Sequence, residues 1–237
     1  MNVHAYNFMK FKSIFLSVFA VLALTMSLQA QTAKNDTVKA KKSSPAYRIQ
    51  IGYGQLFRSG DYLVTSPYNS IKAGMTVEFP IKKGFGVESG LIYSYDFGKR
   101  NQLYAHYDTA FFNYHGHFLD VPVRLTYSFP TFWGIKIFLY GGLNVNIGLA
   151  QTENRTFDAK STDTTPTNAL DYPVTGKYNL YNSDLNRFNL QLGTGGGVQW
   201  KKYRIRSGYD WGLNNVSKSS TYPQKIKGWN IAFEYEF

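Results

Sequence analysis

From Ala46 to the C-terminus the chain alternates apolar and polar residues in eight separate stretches, and none keeps a helical period. The stretches are 46–57, 69–79, 85–97, 114–129, 135–149, 186–200, 203–213 and 225–237. Successive side chains of a strand point to opposite faces, so each stretch builds a wall with two unlike sides. In the fourth, FLDVPVRLTY (118–127) sets Leu119, Val121, Val123, Leu125 and Tyr127 against Asp120, Pro122, Arg124 and Thr126. Two charges and a proline do not suit a buried soluble strand. Buried charge is costly, and proline has no N–H for the ladder.

Each stretch is about as long as a tilted strand needs to cross a bilayer, roughly 9–11 residues. The connections alternate in length. PIKKG (80–84), PTFWG (130–134) and Lys201-Lys202 are short; the others are longer, and the polar run 150–185 is the longest. Short turns on one side and long loops on the other are the pattern of an outer-membrane barrel. The expected fold is therefore all-β: an eight-stranded antiparallel up-and-down transmembrane β-barrel over 46–237, with both termini on the periplasmic side. A soluble barrel or sandwich would turn its apolar face inward and would not need aromatics at both ends of its strands. Here Tyr47, Phe79, Phe85, Tyr127, Phe129, Trp133, Trp200, Tyr203 and Phe237 gather at the short-turn end. Tyr53, Phe57, Tyr93, Tyr95, Trp211 and Trp229 gather toward the loops. These are two candidate interfacial girdles.

The opposite face then lines the lumen, and eight strands leave room only for side chains. Its charges are Arg48, Lys72, Glu78, Glu88, Asp120, Arg124, Arg204, Arg206, Asp210, Glu234 and Glu236. Strand direction sets Arg48 between Glu78 and Glu236, Glu88 beside Arg124, and Arg204 and Arg206 beside Glu234 and Glu236. The expectation is a structural ion-pair network closing the lumen, with a bulge where Pro122 interrupts the ladder. Gly193, Gly195 and Gly197 allow close packing on that face; no helix follows them, so they are not a phosphate loop.

Ahead of the barrel, Lys10 and Lys12 precede the apolar run 13–28, which ends at LQA. This reads as an export signal (1–30) cleaved after Ala30, leaving a basic periplasmic tail at 31–45. The chain has no cysteine, which excludes disulfides and thiolate metal sites. Its net charge of +11 is spread thinly and carries no nucleic-acid motif, so no nucleic-acid partner is expected.

Several strands resemble the PorT-type outer-membrane β-barrel family. FLDVPVRLTY resembles that family's "LEIP-apolar-strand" signature, GVESGLIYSY its third strand, LYGGLNVNIGL its fifth, FNLQLGTGGGVQW its sixth and SGYDWGLNNV its seventh. The resemblance covers about 46–237. It implies an eight-stranded outer-membrane barrel without a catalytic motif, and it adds a role in type IX protein secretion as an alternative. The terminal Phe237 resembles the signal read by barrel-assembly machinery, an expected partner during insertion.

The leading function expected is a structural or accessory barrel of the cell envelope with a packed lumen, without cofactor, metal or catalytic residues. The alternatives are a secretion-assembly subunit, a lipid-modifying enzyme or a small-solute channel. For an enzyme or a metal site the candidates are His106, His115 and His117 with Asp108 or Asp120. Arg58, Lys99, Arg100, Lys218 and Lys225 near the outer rim suit lipopolysaccharide phosphates. Outer-membrane lipid and other envelope proteins complete the expected partners.

Overall fold

The computed structural model describes residues 44–60, 67–103, 109–131, 134–158 and 175–237. The export segment, the tail up to residue 43, Tyr104, His106, Asp108 and Trp133 lie outside the described residues. In chain order come β1 (Ala46–Ser59), β2 (Pro67–Lys82), β3 (Phe85–Leu103), β4 (Thr109–Pro130) and β5 (Ile135–Asp158). They are followed by β6 (Gly176–Asn179), α1 (Leu180–Ser183), β7 (Phe188–Trp200), β8 (Tyr203–Gly212) and β9 (Lys225–Glu236). Sequential antiparallel pairing, with β1 on β9 and β5 on both β4 and β7, closes eight strands into a ring. The ninth, β6, adds only to the upper part of β5.

Burial is inverted relative to a soluble protein. Ile49, Ile51, Met75, Leu91, Leu125, Leu139, Ile205 and Phe233 are exposed on the outer wall, while the buried set is rich in Arg, Glu, Asp, Asn and Gln. Such a surface suits lipid, and the inner face sets its charges against one another. The strands are also staggered. Following paired residues round the ring from Leu119 leads through Tyr93, Ala73, Ile51, Phe233, Ile205, Val198 and Ile137, and returns to β4 at Phe129. That offset is the shear that tilts the strands of a closed barrel, and every residue on the path is apolar.

Two expectations about the wall are corrected. The bulge does not fall at Pro122, which faces Asn144 in unbroken register on β5. On the β3 side the ladder skips Gly90 and Leu91 and resumes with its register unchanged. The register slips instead at His117/Phe118, where β5 accommodates an extra Leu149. The missing proline donor is absorbed as a gap, which costs less than a shift that would flip every side chain below it. The strands also outrun the alternating stretches. β5 continues to Asp158, and β6 and α1 fall within what reads in the sequence as one long loop. β4 and β5 stay paired above the apolar band, with the Phe111–Tyr114 part of β4 against the polar Glu153–Thr156 part of β5, so alternation does not mark their upper ends.

The exterior aromatics form two bands. Tyr47, Phe85, Phe129, Trp200, Tyr203 and Phe237 are exposed at the short-turn end, with Phe79 and Tyr127 half-buried beside them. Tyr53, Tyr93, Trp211 and Trp229 are exposed toward the loops, where Tyr53 and Trp229 pack edge to face. Phe57 and Tyr95 are half-buried.

Candidate functional site: the barrel lumen

Inward-facing positions of the strands project into the lumen and build three layers. The lowest holds Arg48, Arg124, Arg204 and Arg206 with Glu78, Glu88, Glu234 and Glu236. Arg48 bridges Glu78 at 2.6 Å and Glu236 at 2.8 Å. Arg206 donates through one nitrogen to Glu88 at 2.8 Å and to Glu234 at 2.9 Å. Arg204 reaches Glu78 at 3.1 Å, and Arg124 lies 3.5 Å from Glu88. Arg204 Nε stands 3.5 Å from Glu234 Oε2 without the alignment of a hydrogen bond, so that contact is held by charge alone. Glu88 and Glu234 are wholly buried. Their burial is tolerable because four positive groups face four negative ones in one layer.

Aromatic side chains lie flat in this layer. The Arg204 guanidinium sits 3.6 Å from the Phe138 ring centroid, and Arg206 sits 4.0 Å from that of Tyr140. Arg124 approaches the Tyr140 ring at 5.0 Å. Cations over ring faces gain electrostatically where water is excluded. The rings fit because the wall opposite is bare: a Cβ on Gly195 or Gly208 would strike Tyr140, and one on Gly197 would strike Phe138. Phe138, like the uncharged Ser94, Asn144 and Asn146, is a lumen residue beyond the charged set expected from the sequence. Its parity with Tyr140 and Gly142 places it on the inward face.

The middle layer centres on Asp120. It accepts from Ser94 at 2.5 Å, Asn146 at 2.7 Å and Asn144 at 3.3 Å, and pairs with Lys72 at 3.4 Å. Asp210 accepts from Asn230 at 2.9 Å. Between these groups lies a cavity of about 20 Å³, lined by Gln50, Lys72, Asp120, Asn144, Asp210 and Asn230 among others. That is room for about one water and not for a permeating solute.

The uppermost layer is an apolar cap. Tyr114, Leu180, Tyr181, Leu185 and Val216 cluster at the loop end, with Tyr68 and Ile226 against them. The helix α1 brings two of these inward; Asn179 caps it by accepting from the Tyr181 N–H at 3.0 Å. Burial raises the Tyr181 phenol above its ordinary range, although the neighbouring Arg187 and Arg58 guanidiniums pull it down. Arg187 lies 4.4 Å from the Tyr181 ring centroid.

Two rim cations, Arg58 and Arg100, turn onto inward-facing rings at this end, and a third, Lys218, is tied to loop carbonyls. Arg58 lies over the rings of Tyr68 and Tyr114, and Arg100 over Phe112. Lys218 donates to the carbonyls of Tyr181 and Asn182. Lys99, Lys218 and Lys225 are exposed. The candidate catalytic set is also separated. His115 and His117 face outward, where Tyr95 and Tyr93 meet their Nδ1 atoms at 2.7 and 2.5 Å, while Asp120 faces the lumen across the wall. Among the described residues no group of three or more His, Cys, Asp or Glu is arranged to hold a metal ion.

Residues 24–218 match the family described as the outer membrane protein beta-barrel domain. A search of curated proteins finds no match to the chain. Among solved structures the chain is similar to Neisserial surface protein A, at 12% identity and TM-score 0.47, covering 82% of this chain and 100% of that one. It is also similar to the outer membrane enzyme PagL, at 12% identity and TM-score 0.42, covering 78% and 98%. A third is Ail, the attachment invasion locus protein of Yersinia pestis, in complex with the heparin analogue sucrose octasulfate. That match has 15% identity and TM-score 0.37, covering 82% and 100%.

Proposed function

The chain belongs to the outer membrane protein β-barrel domain family, and on that footing we propose that it serves as a sealed structural barrel of the cell envelope rather than as a pore. The observation that carries this reading is the lower lumen layer, where Glu88 and Glu234 are fully buried and ion-paired with Arg204 and Arg206. The apolar cap around Tyr114, Tyr181 and Val216 supports it from the other end. The lumen charges act as mutual counter-ions and not as a conduction route. His115 and His117 take no catalytic part, because their Nδ1 atoms are committed to tyrosines and Asp120 points to the other side of the wall. In this reading both termini face the periplasm. The stretches FLDVPVRLTY and SGYDWGLNNV favour the PorT-type branch of the family.

The test is conductance in a planar bilayer. The purified barrel is expected to give no stable current steps, and Arg124→Ala is expected to give none either, because the cap still closes the mouth. Ohmic steps in the wild type whose size changes in Arg124→Ala would establish a conducting lumen and reject the sealed reading.

A further inference from the structure

The outward face of β4, read from the short turns toward the loops, runs Phe129, Tyr127, Leu125, Val123, Val121 and Leu119, and then turns polar at His117 and His115. That apolar run matches the roughly 25 Å band of an outer-membrane barrel. His117 is therefore the first polar group above the hydrocarbon on this side of the wall. On neighbouring β3 the sequence is Tyr93, Tyr95 and Phe97, followed by Lys99. The register sets Phe97 against His115 and Lys99 against Asn113, one outward position higher. The facing positions on β5, Thr152 and Asn154, are uncharged. Lys99 has no ionic partner among the described residues.

The histidines are held in one orientation. Tyr93 Oη meets His117 Nδ1 at 2.5 Å and Tyr95 Oη meets His115 Nδ1 at 2.7 Å, with Tyr95 stacked on His115 at an interplanar angle of 21°. The direction of these contacts follows the tautomer: when the phenol donates to Nδ1, the imidazole proton lies on Nε2, at the far side of the ring. Each histidine then presents a fixed Nε2–H donor, with no described partner, just above the apolar band. The exposed Lys99 ammonium adds a full positive charge.

We propose that Lys99, His115 and His117 form a binding site for the phosphate of an outer-leaflet glycolipid, with Tyr93, Tyr95 and Leu119 beneath it against the acyl chains. Two fixed N–H donors and one ammonium suit a phosphate, which gains most from charge-assisted hydrogen bonds. The bilayer supplies the apolar half of the ligand at the same height. The assignment takes the short turns as periplasmic and does not depend on the lumen being sealed.

The test uses the full barrel in nanodiscs of phosphatidylcholine doped with lipid A or with its dephosphorylated form, read by native mass spectrometry. The wild type is expected to retain lipid A at least ~10-fold better than the dephosphorylated lipid, about 1.4 kcal/mol. The double variant K99Q/H117Q is expected to lose that preference, while K82Q at the opposite rim keeps it. Heat-modifiable electrophoretic mobility checks that each variant is folded, and the comparison of the two lipids on the wild type needs no variant. Equal retention of both lipids, or an undiminished preference in folded K99Q/H117Q, would overturn the site. Displacement by millimolar inorganic phosphate would reassign it to free anions and overturn the lipid.

Discussion

Glu88→Gln is expected to destabilise the folded barrel by about 3–5 kcal/mol, the cost typical of leaving a buried charge without its partner. Glu88 has Arg206 at 2.8 Å, Arg124 at 3.5 Å and Arg204 at 3.8 Å around a carboxylate with no solvent exposure. The amide keeps the shape and loses the charge. The lower layer then holds four guanidiniums against three carboxylates in a space that water reaches poorly. Glu236→Gln makes the comparison. Its side chain is 25% exposed and its partner Arg48 keeps Glu78, so solvent screening holds the expected loss to about 1 kcal/mol or less. Equilibrium unfolding in urea, followed by heat-modifiable mobility in lipid vesicles, measures both. Equal and small losses would mean that the charge layer does not stabilise the barrel.

Gly195→Val is expected to be at least as damaging, at about 3 kcal/mol or more, and to leave much of the chain unfolded after refolding into detergent. A Cβ at this position overlaps both the Ser207 carbonyl oxygen and the Tyr140 hydroxyl. The first is backbone of the paired strand β8. The second belongs to a ring braced between Arg124 and Arg206, so neither yields cheaply. Gly141→Ala is the control. It lies on the outer face, and its Cβ would meet nothing closer than Gly193 O at 3.8 Å, so a change within about 0.5 kcal/mol is expected. If Gly195→Val refolds with wild-type yield and stability, the lumen is looser than this packing implies.

These effects divide along what the sequence could show. Period-two alternation reveals which side chains share a face. Strand order then makes neighbours of Arg48 with Glu78 and Glu236, and of Arg206 with Glu234, before any coordinate is known. The same parity already separates His115 and His117 from Asp120. What alternation cannot show is what happens above the bilayer. There β4 and β5 pair through polar residues such as Asn113 and Asn154, and β6 and α1 form without an apolar period. Nor does it show what the rim cations meet: Arg58 and Arg100 find rings, and the exposed Lys218 finds carbonyls, that only the folded loop end provides. The bulge lies away from Pro122 for a local reason. Proline marks a lost donor, whereas the slip at Leu149 reflects an extra residue that the pairing partner alone reveals.

The charge layer also bears on how such a barrel is made. Arg48 finds Glu78 on the adjacent strand, but its other carboxylate, Glu236, lies 188 residues away in sequence. Arg206 and Glu88 are separated by 118 residues, and Arg204 and Glu78 by 126. These counter-ions come from strands that meet only when β1 finds β9 and the sheet curls into a ring. An open sheet of the same strands would carry several of its charges unpaired, and hydrocarbon would reject them. Ring closure and entry into the bilayer are thus thermodynamically coupled: the half-built wall is held at the aqueous boundary by its own ions until the last edge is joined. By pairing with both β1 and β8, β9 completes the seam and the neutralisation together, so passage into lipid follows closure of the ring.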